Sequence, residues 1–339
     1  MTLLLATHDE CRLHDPGQGH PERGDRLSAV LDGIRTAGLE EAITWVSAPL
    51  ADRADLERVH PAGVLDNLES LCRSGGGSID PDTWVSSGSW AATRRAAGAG
   101  LELVRRLQAG EGDVGWSVVR PPGHHANRDR QMGFCLVNNV SVVAAALADA
   151  GERVAIVDID AHHGNGTQDI FWSDPRVLYV SIHQYPWYPY TGRPDEIGGG
   201  EGRWSNVNIA VPAGTTGEVY RQAFDDVIGP VVRRHQTTWL LISAGFDAHR
   251  ADPVTDLGLT AADYADLVRD LLGLVPAGRR LLFLEGGYDL DALRACAGAV
   301  GAAAVGASFR PELPTAGGPG AEHVELARGI HLEGALDFW

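Results

Sequence analysis

Cysteine is scarce in this chain of 339 residues: its four copies, Cys11, Cys72, Cys135 and Cys296, lie far apart, with no Cys-X-X-Cys pair among them. That scatter argues against a disulfide framework and a thiolate zinc site, and it points to a reducing compartment. Basic charge is also short, with 28 Lys and Arg against 45 Asp and Glu, a formal charge of −17. Such a balance opposes nonspecific nucleic-acid binding and favours a cationic partner or substrate, although acidity is more simply a route to solubility. The opening MTLLLATHDE has no basic start, and its apolar run is too short for a signal segment or a membrane span. A cytoplasmic protein that does not enter the membrane is therefore expected. No repeat and no linker divides the chain, and the short Gly75–Gly77 and Gly198–Gly200 stretches read as loops. Residues 1–339 are expected to form one domain.

What the chain does have is concentrated in VDIDAHHGNG, Val157 to Gly166. The preceding VAIV, Val154 to Val157, is a β-branched run suited to a buried strand, and Gly-Asn-Gly ends regular structure after it. Asp158 and Asp160 therefore lie at a strand's C-terminal end on one face, with His162 where the chain begins to turn. Two buried like charges need a cation or hydrogen-bond donors between them. Oxygen and nitrogen ligands of this kind fit Zn²⁺ or Fe²⁺, and a site open to chemistry needs a third protein ligand from elsewhere.

The same design recurs along the chain. WSVV, Trp116 to Val119, runs into RPPGHHA with His124 and His125, and VLYVSI, Val177 to Ile182, ends at His183. WLLIS, Trp239 to Ser243, leads to Asp247 and His249, and LLFL, Leu281 to Leu284, leads to EGGYD and Tyr288. Between them, Trp90 to Gln108, Asn139 to Ala150 and Thr260 to Leu274 read as helices, the last opening with Thr260 and Asp263 as a near capping box. Alternating strands and helices predict an α/β fold with a mainly parallel sheet flanked by helices. Open sheets of this kind bind ligands beyond the strands' carboxyl ends, which would gather His124, His125, Asp160, His162, Asp247 and Tyr288.

Six ordered motifs, RPPGHHA, GFCLVNN, VDIDAHHGNGT, SIHQYPWYPYTG, SAGFDAHRADP and EGGYD, resemble the histone deacetylase superfamily, particularly its class II-like bacterial amidohydrolases. The resemblance runs from Thr7 to about Leu293, and HPERGDRL, His20 to Leu27, is similar to the family's opening segment. Arg23 and Arg26 in that segment read as structural ion-pairing residues. The resemblance implies a single-domain arginase-deacetylase fold and zinc-dependent hydrolysis of an acyl amide, most simply acyl-lysine.

By matching positions, Asp160, His162 and Asp247 would hold the metal, leaving room for water and the substrate carbonyl. Zn²⁺ can lower the pKa of its water to about 7. The resemblance assigns His125 as the main general base and acid, and His124 as its electrostatic partner held by Asp158. A carboxylate partner favours imidazolium, whereas neutral Asn165, at the position matching the partner of His125, does not, so His125 should be the readier base. Tyr288, after Gly286 and Gly287, would donate to the carbonyl oxygen as it gains negative charge.

The resemblance further implies an acyl-lysine tunnel lined by Phe134, with Gly133 beside it, and Tyr188, with Gly287 at the Tyr288 loop and Asp82 as a rim acceptor for substrate amides. Val254 stands where the polyamine-selective member of the family carries a glutamate; an apolar residue cannot recognise a second ammonium by charge. Tyr190 replaces a glycine usual in that loop. Potassium is implied at an inner site of Asp158, Asp160, His162, Ser181 and Ile182, and at a second of Phe171, Asp174 and Val177. Three alternatives stay open: an acetylpolyamine or small-molecule amidohydrolase, an arginase-type ureohydrolase, and a noncatalytic acyl-binding module. The ureohydrolase would need bridging carboxylates where this chain has Gly164 and His249. The sequence leaves a homo-oligomer open as well.

Overall fold

The apolar runs come together as one sheet, in a computed structural model that describes residues 1–334; positions 335–339 of the expected domain lie outside the described residues. The strands are β1 (Leu3–Thr7), β2 (Ile43–Ser47), β3 (Gly76–Asp80), β4 (Thr83–Ser86), β5 (Val114–Ser117), β6 (Val154–Asp158), β7 (Val177–Gln184), β8 (Asn206–Val211), β9 (Trp239–Ala244) and β10 (Arg280–Leu284). Eight of them form a sheet in the order β2-β1-β5-β10-β9-β6-β7-β8, every neighbouring pair parallel. Strands β5 to β9 are buried at every residue, the pattern of a parallel sheet covered by helices on both faces. The α/β fold with a mainly parallel sheet is thus the observed one.

The helices read from the sequence are present as Ser89–Gln108, Asn139–Asp149 and Ala261–Leu272. At the last, Thr260 and Asp263 form the capping box, with the Thr260 amide donating to Asp263 Oδ2 at 3.0 Å. Among the described residues no helix is long and apolar enough to cross a membrane.

Three local expectations change. Gly76 and Gly77 belong to strand β3 and pair with Ser86 and Val85 in a two-stranded hairpin, rather than forming a loop. A Cβ on Gly76 would lie 2.1 Å from the Val85 carbonyl oxygen, so glycine is what lets these strands meet. The strand expected over Trp116–Val119 lies two residues earlier, its pairing with Ala6 and Phe283 ending at Ser117 ahead of the two prolines Pro121 and Pro122. Strand β6 ends at Asp158, which leaves Asp160 in the loop beyond it.

A buried ion cluster joins the N-terminal segment to this end of the sheet. Glu22, Arg26, Arg120 and His14 are all buried. Glu22 accepts from Arg26 Nη1 at 3.1 Å and from Arg120 Nη2 at 2.6 Å. Burial alone would raise the Glu22 carboxyl, but Arg120 and His14 hold it well below its ordinary 4.5. A depressed carboxylate contributes stability that is present above the unfolded value and lost as the pH falls through the folded one. Glu22→Ala is therefore expected to cost about 3–5 kcal/mol in urea unfolding at pH 7, because it strands two buried arginines. The loss should shrink on acidification below pH 4.5, where the wild type itself is weakened.

Candidate active site

Register across the sheet brings the chemistry together. Ser117, Phe283, Ser243, Asp158 and Ser181 pair in one continuous row across β5, β10, β9, β6 and β7, and the loops after β5, β10, β9 and β6 leave the sheet within a residue of that row. The β5 loop carries His124 and His125, the β10 loop Tyr288, the β9 loop Asp247, and the β6 loop Asp160 and His162.

Asp160, His162 and Asp247 each offer a ligand atom, and these atoms lie within 4.8 Å of one another. His162 Nδ1 is 3.1 Å from Asp160 Oδ1 and 3.0 Å from Asp247 Oδ2. Burial opposes charge on His162, yet its hydrogen bonds to Asp160 and Asp247 lift its pKa to about 10, so the two carboxylates draw positive charge to this spot. A mixed oxygen and nitrogen donor set in a buried, net negative cradle fits a divalent metal. The cradle depends on glycine: a Cβ on Gly245 would lie 1.9 Å from Asp160 Oδ2, and one on Gly286 2.2 Å from Asp247 Oδ2.

The two histidines differ in partner. His124 Nδ1 lies 3.0 Å from Asp158 Oδ2, and His125 Nδ1 lies 2.7 Å from Asn165 Oδ1. Burial works against a charged His124, but the Asp160 and Asp158 carboxylates raise its pKa well above the usual range. Burial, followed by the positive charges of His124 and His162, pushes His125 well below it. One ring is kept charged and its neighbour, 4.1 Å away between centroids, is kept neutral.

A pocket of about 120 Å³ opens onto this cluster, lined by Asp82, His125, Gly133, Phe134, His162, Tyr188, Val254 and Tyr288. Gly133 has φ +57, and a Cβ there would lie 2.4 Å from the His125 ring. Tyr188 meets His125 edge-on at 5.3 Å, and Phe134 meets Tyr288 at 5.8 Å. Asp82 Oδ1 already accepts from the Gly133 amide at 3.2 Å and from Thr83 Oγ1 at 2.8 Å. Gly287 stands behind the wall, its carbonyl accepting from Arg26 Nε at 2.7 Å. Tyr190 is exposed, with φ +66.

Of the residues expected around monovalent cations, Asp158, Ser181 and Ile182 adjoin one another on β6 and β7, next to the Asp160–His162 loop. Phe171, Asp174 and Val177 form the turn from the helix Asn165–Phe171 into β7, and the Asp174 carboxylate is engaged by Arg176 at 2.7 Å.

The sequence reading passed over two buried carboxylates. Glu285 Oε2 accepts from the amides of Gly123 at 2.7 Å and His124 at 3.2 Å, and burial pushes its pKa up to about 7. Asp252 accepts from the amides of Tyr288 and Asp289. A signal was available: both lie in loops directly after buried strands, where an acid cannot stay unpartnered. Arg26, expected to pair structurally, does so with Glu22, and its guanidinium also faces the Tyr288 ring at 5.0 Å.

A parallel sheet whose central loops surround a buried Asp-His-Asp cluster with a histidine pair and a tyrosine is the arrangement of a hydrolase site with donors for a metal. A model of the histone deacetylase domain matches residues 20–304, and the chain belongs to this family. A probable deacetylase of Archaeoglobus fulgidus is 39% identical over 297 residues, covering 86% of this chain and 82% of the relative. A histone deacetylase-like amidohydrolase of Pseudomonas aeruginosa is 38% identical over 276 residues, 79% of this chain and 72% of the relative. Histone deacetylase 15 of Arabidopsis thaliana is 37% identical over 95% of this chain, which spans 59% of that protein. The crystal structure of the HDA15 HD domain superposes with a TM-score of 0.91 at 34% identity, covering 98% of this chain and 96% of that one. The chain is accordingly a hydrolase of the deacetylase and amidohydrolase kind.

The two histidine environments make a testable difference. Asn165→Asp places a carboxylate against His125 Nδ1 and should raise the pKa of that ring. The acidic limb of the kcat/KM profile is expected to move to higher pH, by about one unit; a limb that does not move would separate it from His125.

Proposed function

We propose that the chain is a zinc-dependent acyl-lysine deacetylase. The observation that carries the reading is that His125, His162 and Tyr288 line one aromatic-walled pocket, with Asp160 and Asp247 gathered around His162 behind it. Asp160, His162 and Asp247 would hold Zn²⁺, which when bound polarises an amide carbonyl and makes water a better nucleophile at neutral pH; Fe²⁺ suits the same donors. Potassium would occupy the inner site beside Asp158 and Ser181, with the Phe171–Val177 turn as a second.

Phe134 and Tyr188 flank the alkyl chain of the substrate, burying each methylene for about 0.8 kcal/mol. Asn165 Oδ1 accepts the Nδ1 proton of His125, which leaves Nε2 free to take a proton from water and deliver it to the departing amine nitrogen. His124, held charged by Asp158, keeps His125 neutral until that transfer. Tyr288 donates its hydroxyl to the carbonyl oxygen as negative charge grows there. Asp82, at the pocket's rim, would accept a substrate amide. Val254 offers no charge to a distant ammonium, which favours acyl-lysine over acetylpolyamine.

An arginase-like pair of metals has no support in the side chains. A Cβ on Gly164 would already lie 2.3 Å from Asp158 Oδ2, and the His249 imidazole is turned to Glu312 at 2.8 Å.

With an acetyl-lysine peptide, His125→Ala and Tyr288→Phe should each lower kcat by about 10²-fold or more while thermal unfolding stays near wild type. Undiminished turnover in both variants would contradict the mechanism. In a panel on the wild type, kcat/KM for acetyl-lysine peptides should exceed that for acetylpolyamines and small acetamides, and the reverse order would move the substrate to polyamines or small amides.

A further inference from the structure

We propose that Asp252 is a positioning residue, a clasp that fixes the Tyr288 backbone and so aims its hydroxyl at the reacting carbonyl; the inference rests on the deacetylase reading above. Asp252 is buried in the β9 loop, five positions beyond Asp247. Its Oδ2 accepts from the amide of Tyr288 at 2.6 Å and of Asp289 at 3.1 Å, and its Oδ1 accepts from the amide of Val254 at 3.2 Å. One carboxylate thus ties together two loops that both line the pocket.

Tyr288 has need of such a tie. It follows two glycines, the second at φ +112, a conformation that glycine permits and that Arg26 Nε holds through the Gly287 carbonyl at 2.7 Å. On its other side Asp289 caps the helix Leu290–Val305, accepting from the amides of Asp291 at 3.1 Å and Ala292 at 2.8 Å. The tyrosine therefore stands between a glycine pair and a helix cap, with its own amide and that of Asp289 held by Asp252. Its ring meets Phe134 by an edge and Arg26 by a face, contacts that guide the ring without setting the height of its backbone.

The clasp is itself anchored. The Asp252 amide donates to the His249 carbonyl at 2.8 Å, and the His249 ring is held by Glu312 at 2.8 Å. Glu312 in turn accepts from the amide of Ala261 at 2.9 Å, at the start of the helix Ala261–Leu272. The segment after the helix Leu290–Val305 thus braces the loop that holds Tyr288, and a displacement of the order of 1 Å at a reacting group can cost about 10²-fold in rate.

The test is a double-mutant cycle on zinc-loaded protein with an acetyl-lysine peptide, using wild type, Asp252→Asn, Tyr288→Phe and the double variant. Metal content, thermal midpoint and amide hydrogen exchange at Tyr288 and Asp289 are measured on each. Asp252→Asn should lower kcat by about tenfold or more with KM changed by less than about twofold, and should speed exchange at the two amides. The double variant should be no slower than Tyr288→Phe alone, because the clasp acts only through that hydroxyl. Additive losses, or a kcat unchanged by Asp252→Asn, would overturn the proposal. So would loss of metal or of folding in both Asp252→Asn and Asp252→Ser, which would make the residue general scaffolding. If Tyr288→Phe itself turned over like wild type, the deacetylase mechanism would fail first, a result distinct from all of these.

Discussion

The structure depends on keeping negative charge dry at one end of a parallel sheet. Asp158, Asp160, Asp247, Asp252 and Glu285 are all buried there. An isolated carboxylate in such a setting is costly enough to give up its charge. Most of these acids accept backbone amides from a neighbouring loop, which offsets part of that cost: Asp160 from Gly286, Asp247 from Ala161, Asp252 from Tyr288 and Asp289, and Glu285 from Gly123 and His124, although burial still pushes Asp252 and Glu285 up to about 7. The charges therefore knit together the loops that they serve. The surplus that amides do not absorb falls on His124, His162 and, in the proposed holoenzyme, the metal.

The same electrostatics separates two chemically identical side chains. His124 and His125 are adjacent in sequence and both buried, yet one faces a carboxylate and the other a carboxamide. A charged His124 then makes its neighbour harder to protonate. The neutral carboxamide at position 165 thus contributes to the basicity difference on which the proposed proton transfer relies. Arg26 and Arg120 share the single carboxylate of Glu22, and the positive charge left over lies behind the Tyr288 ring. Burial and the acids around Tyr288 push its phenol up, and Arg26 works against them, so it stays a protonated donor.

Much of this was legible in the chain. Apolar runs that end in Asp, His or Gly-rich loops mark buried parallel strands, and VDIDAHHGNG, RPPGHHA, SAGFDAHRADP and EGGYD lead out of four spatially adjacent strands, β6, β5, β9 and β10. The contrast of Asp158 with Asn165 could be read as a difference in histidine basicity before any distance was measured. Boundaries were less legible, because a strand's end is set by where its cross-strand pairing stops, as at Ser117. The Gly76–Gly77 pairing escaped for a related reason: glycine signals a turn until a facing strand is known to need the space. The roles of Asp252 and Glu285 were hidden because their partners are backbone amides 36 and 162 positions away. Amides carry no side-chain signature.

The central claim is that one metal, held by Asp160, His162 and Asp247, supports amide hydrolysis beside His125 and Tyr288. Titrating metal-free protein with Zn²⁺ while following hydrolysis of an acetyl-lysine peptide tests it most directly. The account predicts that activity rises linearly and levels off at one Zn²⁺ per chain. Saturation only at two ions per chain, or full hydrolysis before any metal is added, would contradict it.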